Sequence, residues 1–177
     1  VIENPGVIET KDHIIISCEL IEDNDKLKVS FIGLCSKLGK TNISYEFGYK
    51  KGVNINFAYK GKREVDRVGM QLELKGKDKV TWYGLGPHET MRDRLEGAIM
   101  GVYSMKTDDF ITDYTYPQEN GNRDNVYNFT VQNKADIGIK VLSDKPLGFS
   151  VWPYTFDELN DAKHLHELEN KDYTTVN

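Results

Sequence analysis

Polar and apolar residues alternate along much of this chain. Asn42-Ile43-Ser44-Tyr45-Glu46-Phe47 does so without a break, as do Val53-Asn54-Ile55-Asn56-Phe57 and Val68-Gly69-Met70-Gln71-Leu72-Glu73-Leu74. Successive side chains of a strand point to opposite faces, so each stretch offers one apolar and one wetted surface. Such a pattern predicts antiparallel sheet packed on one side. Further strands are expected over residues 13–20, 27–33, 80–83, 126–131, 137–142 and 149–152. Glu22-Asp23-Asn24-Asp25-Lys26 and Tyr49-Lys50-Lys51-Gly52 read as hairpin loops, and Gly76-Lys77-Asp78 as the closure of a third hairpin. The close spacing of strands favours a β-sandwich over any βαβ arrangement.

One helix interrupts the pattern. Thr155-Phe156-Asp157-Glu158 fits a capping box, and Leu159, Ala162 and Leu165 follow at spacing three on one face. Trp152 and Pro153 precede it and anchor its entry. From residue 84 to 125 the alternation fades, while Gly, Pro, His, Asp, Arg and Asn crowd in. Long irregular segments of this kind carry function or packing, so chemistry is sought there. No internal repeat and no sharp change of composition marks a boundary, so residues 1–177 read as a single domain.

Composition narrows the partners. A chain of 177 residues can bury roughly 70% of its unfolded surface. Its 23 basic and 28 acidic residues leave a net charge of −5, which argues against nucleic acid, whose phosphates select clustered Lys and Arg. No run approaches the ~18 apolar residues of a membrane span, and no basic-then-apolar signal opens the chain. Neither a membrane nor a nucleic-acid partner is expected. Cys18 and Cys35 sit in apolar runs and are expected to be reduced core residues.

Three clusters offer chemistry. In the first, Trp82-Tyr83-Gly84-Leu85-Gly86-Pro87-His88-Glu89 leads to Arg92-Asp93-Arg94. Aromatic rings stack on the apolar face of a pyranose while carboxylate and guanidinium groups bond its hydroxyls. The same residues could instead finish a core strand and lock the loop internally. Gly84-Leu85-Gly86 is no nucleotide fingerprint, since Pro follows and no third Gly opens a helix. The second cluster is Tyr116-Pro117-Gln118-Glu119-Asn120-Gly121-Asn122-Arg123, whose polar groups either ring a pocket or satisfy loop backbone. Glu89 and Glu119 form a glycosidase acid/base pair only if their separation permits it. The third, His164-Leu165-His166-Glu167, reads as solvated residues at a helix end, because histidines at i and i+2 share a metal poorly.

Beyond this chemistry stands a resemblance. The run VTWYGLGPHETMRDRLEGAIMGVYS (80–104), then YPQENGNR (116–123), then FSVWPYTFDELNDAKHLHEL (149–168) resembles the last domain, or small chain, of large bacterial β-galactosidases. These are the family 2 glycoside hydrolases. The resemblance implies an all-β fold, a large antiparallel β-supersandwich similar to galactose mutarotase, with one short surface helix near its end. It also implies a parent enzyme that cleaves terminal β-D-galactosides with retention through two glutamates, needing magnesium and a monovalent cation. Those groups belong to a preceding barrel domain that no stretch here matches, so no catalytic residue, metal ligand or cofactor is assigned to this chain. Two family segments that close the galactoside pocket lie outside it. One is an arginine- and aspartate-containing loop upstream, the other an Asp-Asp-Ser-Trp-like motif downstream, so the domain is expected to be truncated at both ends. The expected role is non-catalytic, packed on the other domains of a cytoplasmic, homo-oligomeric parent and shaping its substrate cleft. One alternative is an autonomous carbohydrate-binding module using Trp82, His88, Glu89, Arg94, Glu119, Asn120 and Arg123 around a concave sheet face. Another is a mutarotase-like epimerase built on His88 and Glu119.

Overall fold

The alternating stretches become strands. The computed structural model describes residues 13–23, 26–35, 39–48, 52–61 and 69–177. The chain divides into two compact units, residues 1–68 and 69–177.

The first unit holds a four-stranded antiparallel meander: β1 (His13–Asp23), β2 (Lys26–Cys35), β3 (Gly39–Gly48) and β4 (Gly52–Lys60). Its register sorts the side chains into rows. Leu27, Phe47 and Val53 align across β2–β4, as do Val29 with Tyr45 and Ile55, and Phe31 with Ile43 and Phe57. The intervening rows are polar, such as Lys28, Glu46 and Asn54, so one face of the sheet is apolar and the other wetted. Strands β1 and β2 pair through Asp23 and Lys26, and β3 and β4 through Gly48 and Gly52. Both expected hairpins therefore form, with residues 24–25 and 49–51 outside the described residues. Gly39 takes φ +79° and lies so near Lys60 that a Cβ would meet its carbonyl oxygen at 2.7 Å. Cys35 is buried, whereas Cys18, on the edge strand β1, is exposed rather than in a core.

The second unit is a sandwich of two antiparallel sheets. One has the order β7-β6-β8-β9, from β6 (Asp78–Gly86), β7 (Ile99–Lys106), β8 (Arg123–Asn133) and β9 (Gly138–Phe149). The other has the order β10-β11-β5, from β5 (Leu72–Lys75), β10 (Val151–Trp152) and β11 (Tyr173–Val176). Val80, Trp82, Phe129 and Val131 of the first sheet meet Val151 and Val176 of the second, with Phe110 and Phe149 filling between. Phe129 and Phe149 stack at 4.1 Å, and the Trp82 ring stands edge-on to Phe110 at 5.5 Å. The all-β antiparallel sandwich and its single short helix are as expected.

Several local expectations need correction. Gly76-Lys77-Asp78 closes no hairpin: it carries the chain from β5 in one sheet to β6 in the other. The strand expected over 68–74 is confined to β5, with residue 68 outside the described residues. Strand β7 lies inside the segment read as irregular, because Ile99, Met100, Val102 and Tyr103 break strict alternation on an edge strand. Helix α1 (Phe156–Asp161) stops where Ala162 turns extended, and Leu165 belongs to a separate 3-10 turn, Leu165–Glu167. Among the described residues no helix is long and apolar enough to cross a membrane.

Candidate functional site

The two motif-rich loops, 87–94 and 111–123, are tied together by their own polar groups. Gly121 takes φ +67° and passes so close to Phe110 that a Cβ would lie 2.4 Å from its carbonyl oxygen. That approach delivers the Gly121 N–H to the Glu89 carboxylate at 2.5 Å. The other Glu89 oxygen accepts from the Tyr114 hydroxyl and pairs with Arg94 at 3.1 Å. Arg94 also lies over the Tyr114 ring, 5.6 Å from its centroid. Burial, and next the Glu89 carboxylate, push the Tyr114 phenol above its ordinary pKa. Thr90 completes the seam: its N–H donates to the Asn122 carbonyl at 2.8 Å, and its hydroxyl accepts from the Asp124 N–H at 2.7 Å.

Arg123 lies beneath this seam, 3% exposed. Its Nε donates to the Pro87 carbonyl at 3.0 Å and its Nη1 to the Gly121 carbonyl at 2.9 Å. The guanidinium sits 4.3 Å over Phe110 and 5.4 Å over Trp82. Burial lowers its pKa to about 10, opposed by the charge of Glu89, so it stays cationic at neutral pH. Carbonyl dipoles and aromatic faces solvate it in place of water.

The structure thus brings Trp82, Glu89, Arg94, Asn120 and Arg123 into one region, but chiefly as a lock. Trp82 is 1% exposed and donates its Nε1–H to the Leu85 carbonyl at 2.9 Å, so neither ring face is open to a sugar. Both oxygens of Glu89 are engaged, which suits a structural acceptor better than a general acid. His88 is exposed and Glu119 half-buried. The aromatic that faces outward is the neighbour, Tyr83, 6.0 Å from Tyr127.

Beside the lock lies a half-open cavity of about 140 Å³. Tyr116, Pro117, Asn120, Tyr154, Leu159 and Leu165 contribute to its wall. Asn120, buried, is among the residues that line it: its Nδ2 donates to the Gln118 carbonyl at 3.0 Å and to the Tyr154 hydroxyl at 3.1 Å. The Asn120 carbonyl accepts from Trp152 Nε1 at 2.9 Å. Tyr154 is 5% exposed, and burial raises its pKa. Sequence reasoning singled out Asn120 but missed Tyr154; the aromatic-rich Trp152-Pro153-Tyr154 run before the capping box was the available signal. Among the described residues no three His, Cys, Asp or Glu side chains converge to hold a metal ion.

The family comparison bears on these same loops. The sequence model of the family described as Beta galactosidase small chain matches residues 8–177. The chain belongs to the β-galactosidase small-chain family. The β-galactosidase of Lactobacillus delbrueckii subsp. bulgaricus is 31% identical over 165 residues, covering 91% of this chain and 16% of the relative. That of Priestia megaterium is 30% identical over 166 residues, covering 93% and 15%. That of Halalkalibacterium halodurans is 39% identical over 101 residues, covering 56% and 10%. This small chain therefore spans about a sixth or less of the length of these curated relatives. The locked loops and the cavity both lie within the matched range.

Proposed function

We propose that this chain is the non-catalytic small-chain domain of a retaining β-galactosidase that cleaves terminal β-D-galactosides. In that parent it packs on the barrel and holds two loops rigid beside the substrate cleft. The observation that carries the reading is the commitment of the motif's charged groups to the fold. A retaining glycosidase needs two carboxyl groups about 5–5.5 Å apart, one able to exchange a proton. Glu89 is instead saturated by Gly121, Tyr114 and Arg94, and Arg123 spends its donors on backbone carbonyls. Groups engaged in this way fix a surface rather than react. Magnesium and a monovalent cation, supplying electrostatic support to the reaction, would be held by residues of the parent outside this chain.

Two measurements test the proposal. The chain alone should give no turnover of a chromogenic β-galactoside, with or without magnesium, whereas the full-length polypeptide should hydrolyse it. Metal-dependent turnover by the chain alone overturns the reading, and so does full activity in a polypeptide from which the chain has been deleted.

A further inference from the structure

We propose that the outward face of the β7-β6-β8-β9 sheet is the surface on which the rest of the parent polypeptide seats. The inference rests on the small-chain reading above and adds which face does the docking. Register decides which side chains share that face. Val80, Trp82, Phe129 and Val131 point into the core, so Tyr83 and Leu85 of β6 point the other way. Cross-strand pairing sets Met100 beside Leu85 and Val102 beside Tyr83, with Leu142 at the far edge of the Tyr83 row. Val126 and Phe129 both face the core, so alternation breaks between them. The register with β9 shifts there, and Tyr127 turns outward with its ring 6.0 Å from Tyr83. Val102 is 74% and Leu142 70% exposed, and Tyr83, Met100 and Tyr127 are exposed with them.

The face changes character along its strands. The two outward rows nearest Gly86 carry no charge. Thr81, Ser104 and Thr130 form the next row with Lys140 at its edge, and Lys79 and Lys106 close the far end. An uncharged centre holding Tyr and Met, with lysines at its rim, has the composition of an interface core. Apolar surface of this kind, rimmed by polar groups, marks a protein contact. The relatives' lengths then select the occupant. The matched region makes up 15–16% of the Lactobacillus and Priestia β-galactosidases, so about five-sixths of each lies on the same polypeptide outside it. Covalent linkage raises the effective concentration of a neighbouring domain to the millimolar range, so it reaches this face ahead of a second free copy. The uncharged rows end where β6 runs into the locked loop 87–94, so a domain seated on them also comes up beside that loop.

The test compares the 177-residue chain with the full-length polypeptide. Hydrogen peroxide should oxidise Met100 to the sulfoxide at least about tenfold more slowly in the full-length protein, read by peptide mass spectrometry. Val102→Lys places a charge at the centre of the face, and Leu142→Lys places one on its opposite edge strand. Each should leave the melting temperature of the chain alone unchanged, while restoring Met100 reactivity and lowering the melting temperature in the full-length protein. Equal Met100 reactivity in the two wild-type proteins overturns the proposal, as does protection that survives both lysine variants. A chain that sediments as a dimer, dispersed by Val102→Lys, also overturns it, because the occupant is then a second copy. The non-catalytic reading is judged separately by turnover: if deleting the chain abolishes activity while Met100 is unprotected, the role stands and this face is wrong.

Discussion

Arg123 shows how a single side chain can organise two loops. A guanidinium presents five N–H donors in a planar fork, and here they reach the carbonyls of Pro87, Gly121 and Asn122 while the plane rests near Phe110. Arg123→Ala strands those buried acceptors, and should lower the unfolding free energy by roughly 3 kcal/mol in a urea titration. Lysine keeps the charge but cannot form the fork, so Arg123→Lys should recover only part of the loss. At this scale the sequence was legible up to a point. Alternation made it certain that Trp82 and Tyr83 face opposite sides of their strand, yet gave no sign of which one points inward. Trp82 won because β6 is central in its sheet and the larger ring fills the space between Phe110, Phe149 and Tyr103. Glu89 and Arg123 were legible as residues with work to do, but the bonds that join the two loops, Gly121 to Glu89 and Arg123 to Pro87, span 32 and 36 residues, beyond any spacing rule.

Helix α1 is an element held by its ends. Six residues are too few for a helix to persist on its own. Thr155 accepts from the Glu158 N–H at 3.2 Å and Glu158 accepts from the Thr155 N–H at 2.8 Å, the reciprocal capping box that the sequence predicts. Glu158 also binds Lys171 and accepts from the Tyr173 hydroxyl at 2.7 Å, which ties the helix to β11. Thr155→Ala should therefore cost about 1 kcal/mol. Its bond to Lys171, then the Thr155 N–H, hold the Glu158 carboxyl down to about 2. A carboxylate with a folded pKa below its unfolded value stabilises fully above the unfolded value and loses that contribution as pH falls through the folded one. Stability should thus decline between about pH 4.5 and 2, and Glu158→Gln should flatten that part of the curve in denaturant melts across pH. The strands that escaped sequence reading, β7 and β11, are edge or short elements whose pairing depends on distant partners. Tyr173–Val176 becomes a strand because β5 and β10 lie on either side of it, a fact written nearly a hundred residues upstream for β5.

At the scale of the molecule, the division at residue 68/69 separates a one-sided sheet from a sandwich that encloses its own core. Composition does not change there, so the boundary was invisible to sequence reasoning; it arises from where the contacts fall. Because the second unit buries Val80, Trp82, Phe129, Phe149 and Val176 among themselves, residues 69–177 produced alone should unfold in one cooperative step by calorimetry. A broad, gradual transition would show that this core needs the first unit.

The same layout dictates what an optical experiment can see. The chain has two tryptophans, Trp82 and Trp152, and both are shielded from water within residues 69–177. Intrinsic fluorescence excited at the indole band therefore reports on the packing of the sandwich. A tryptophan introduced on one of the strands of the meander would add a separate probe of that sheet.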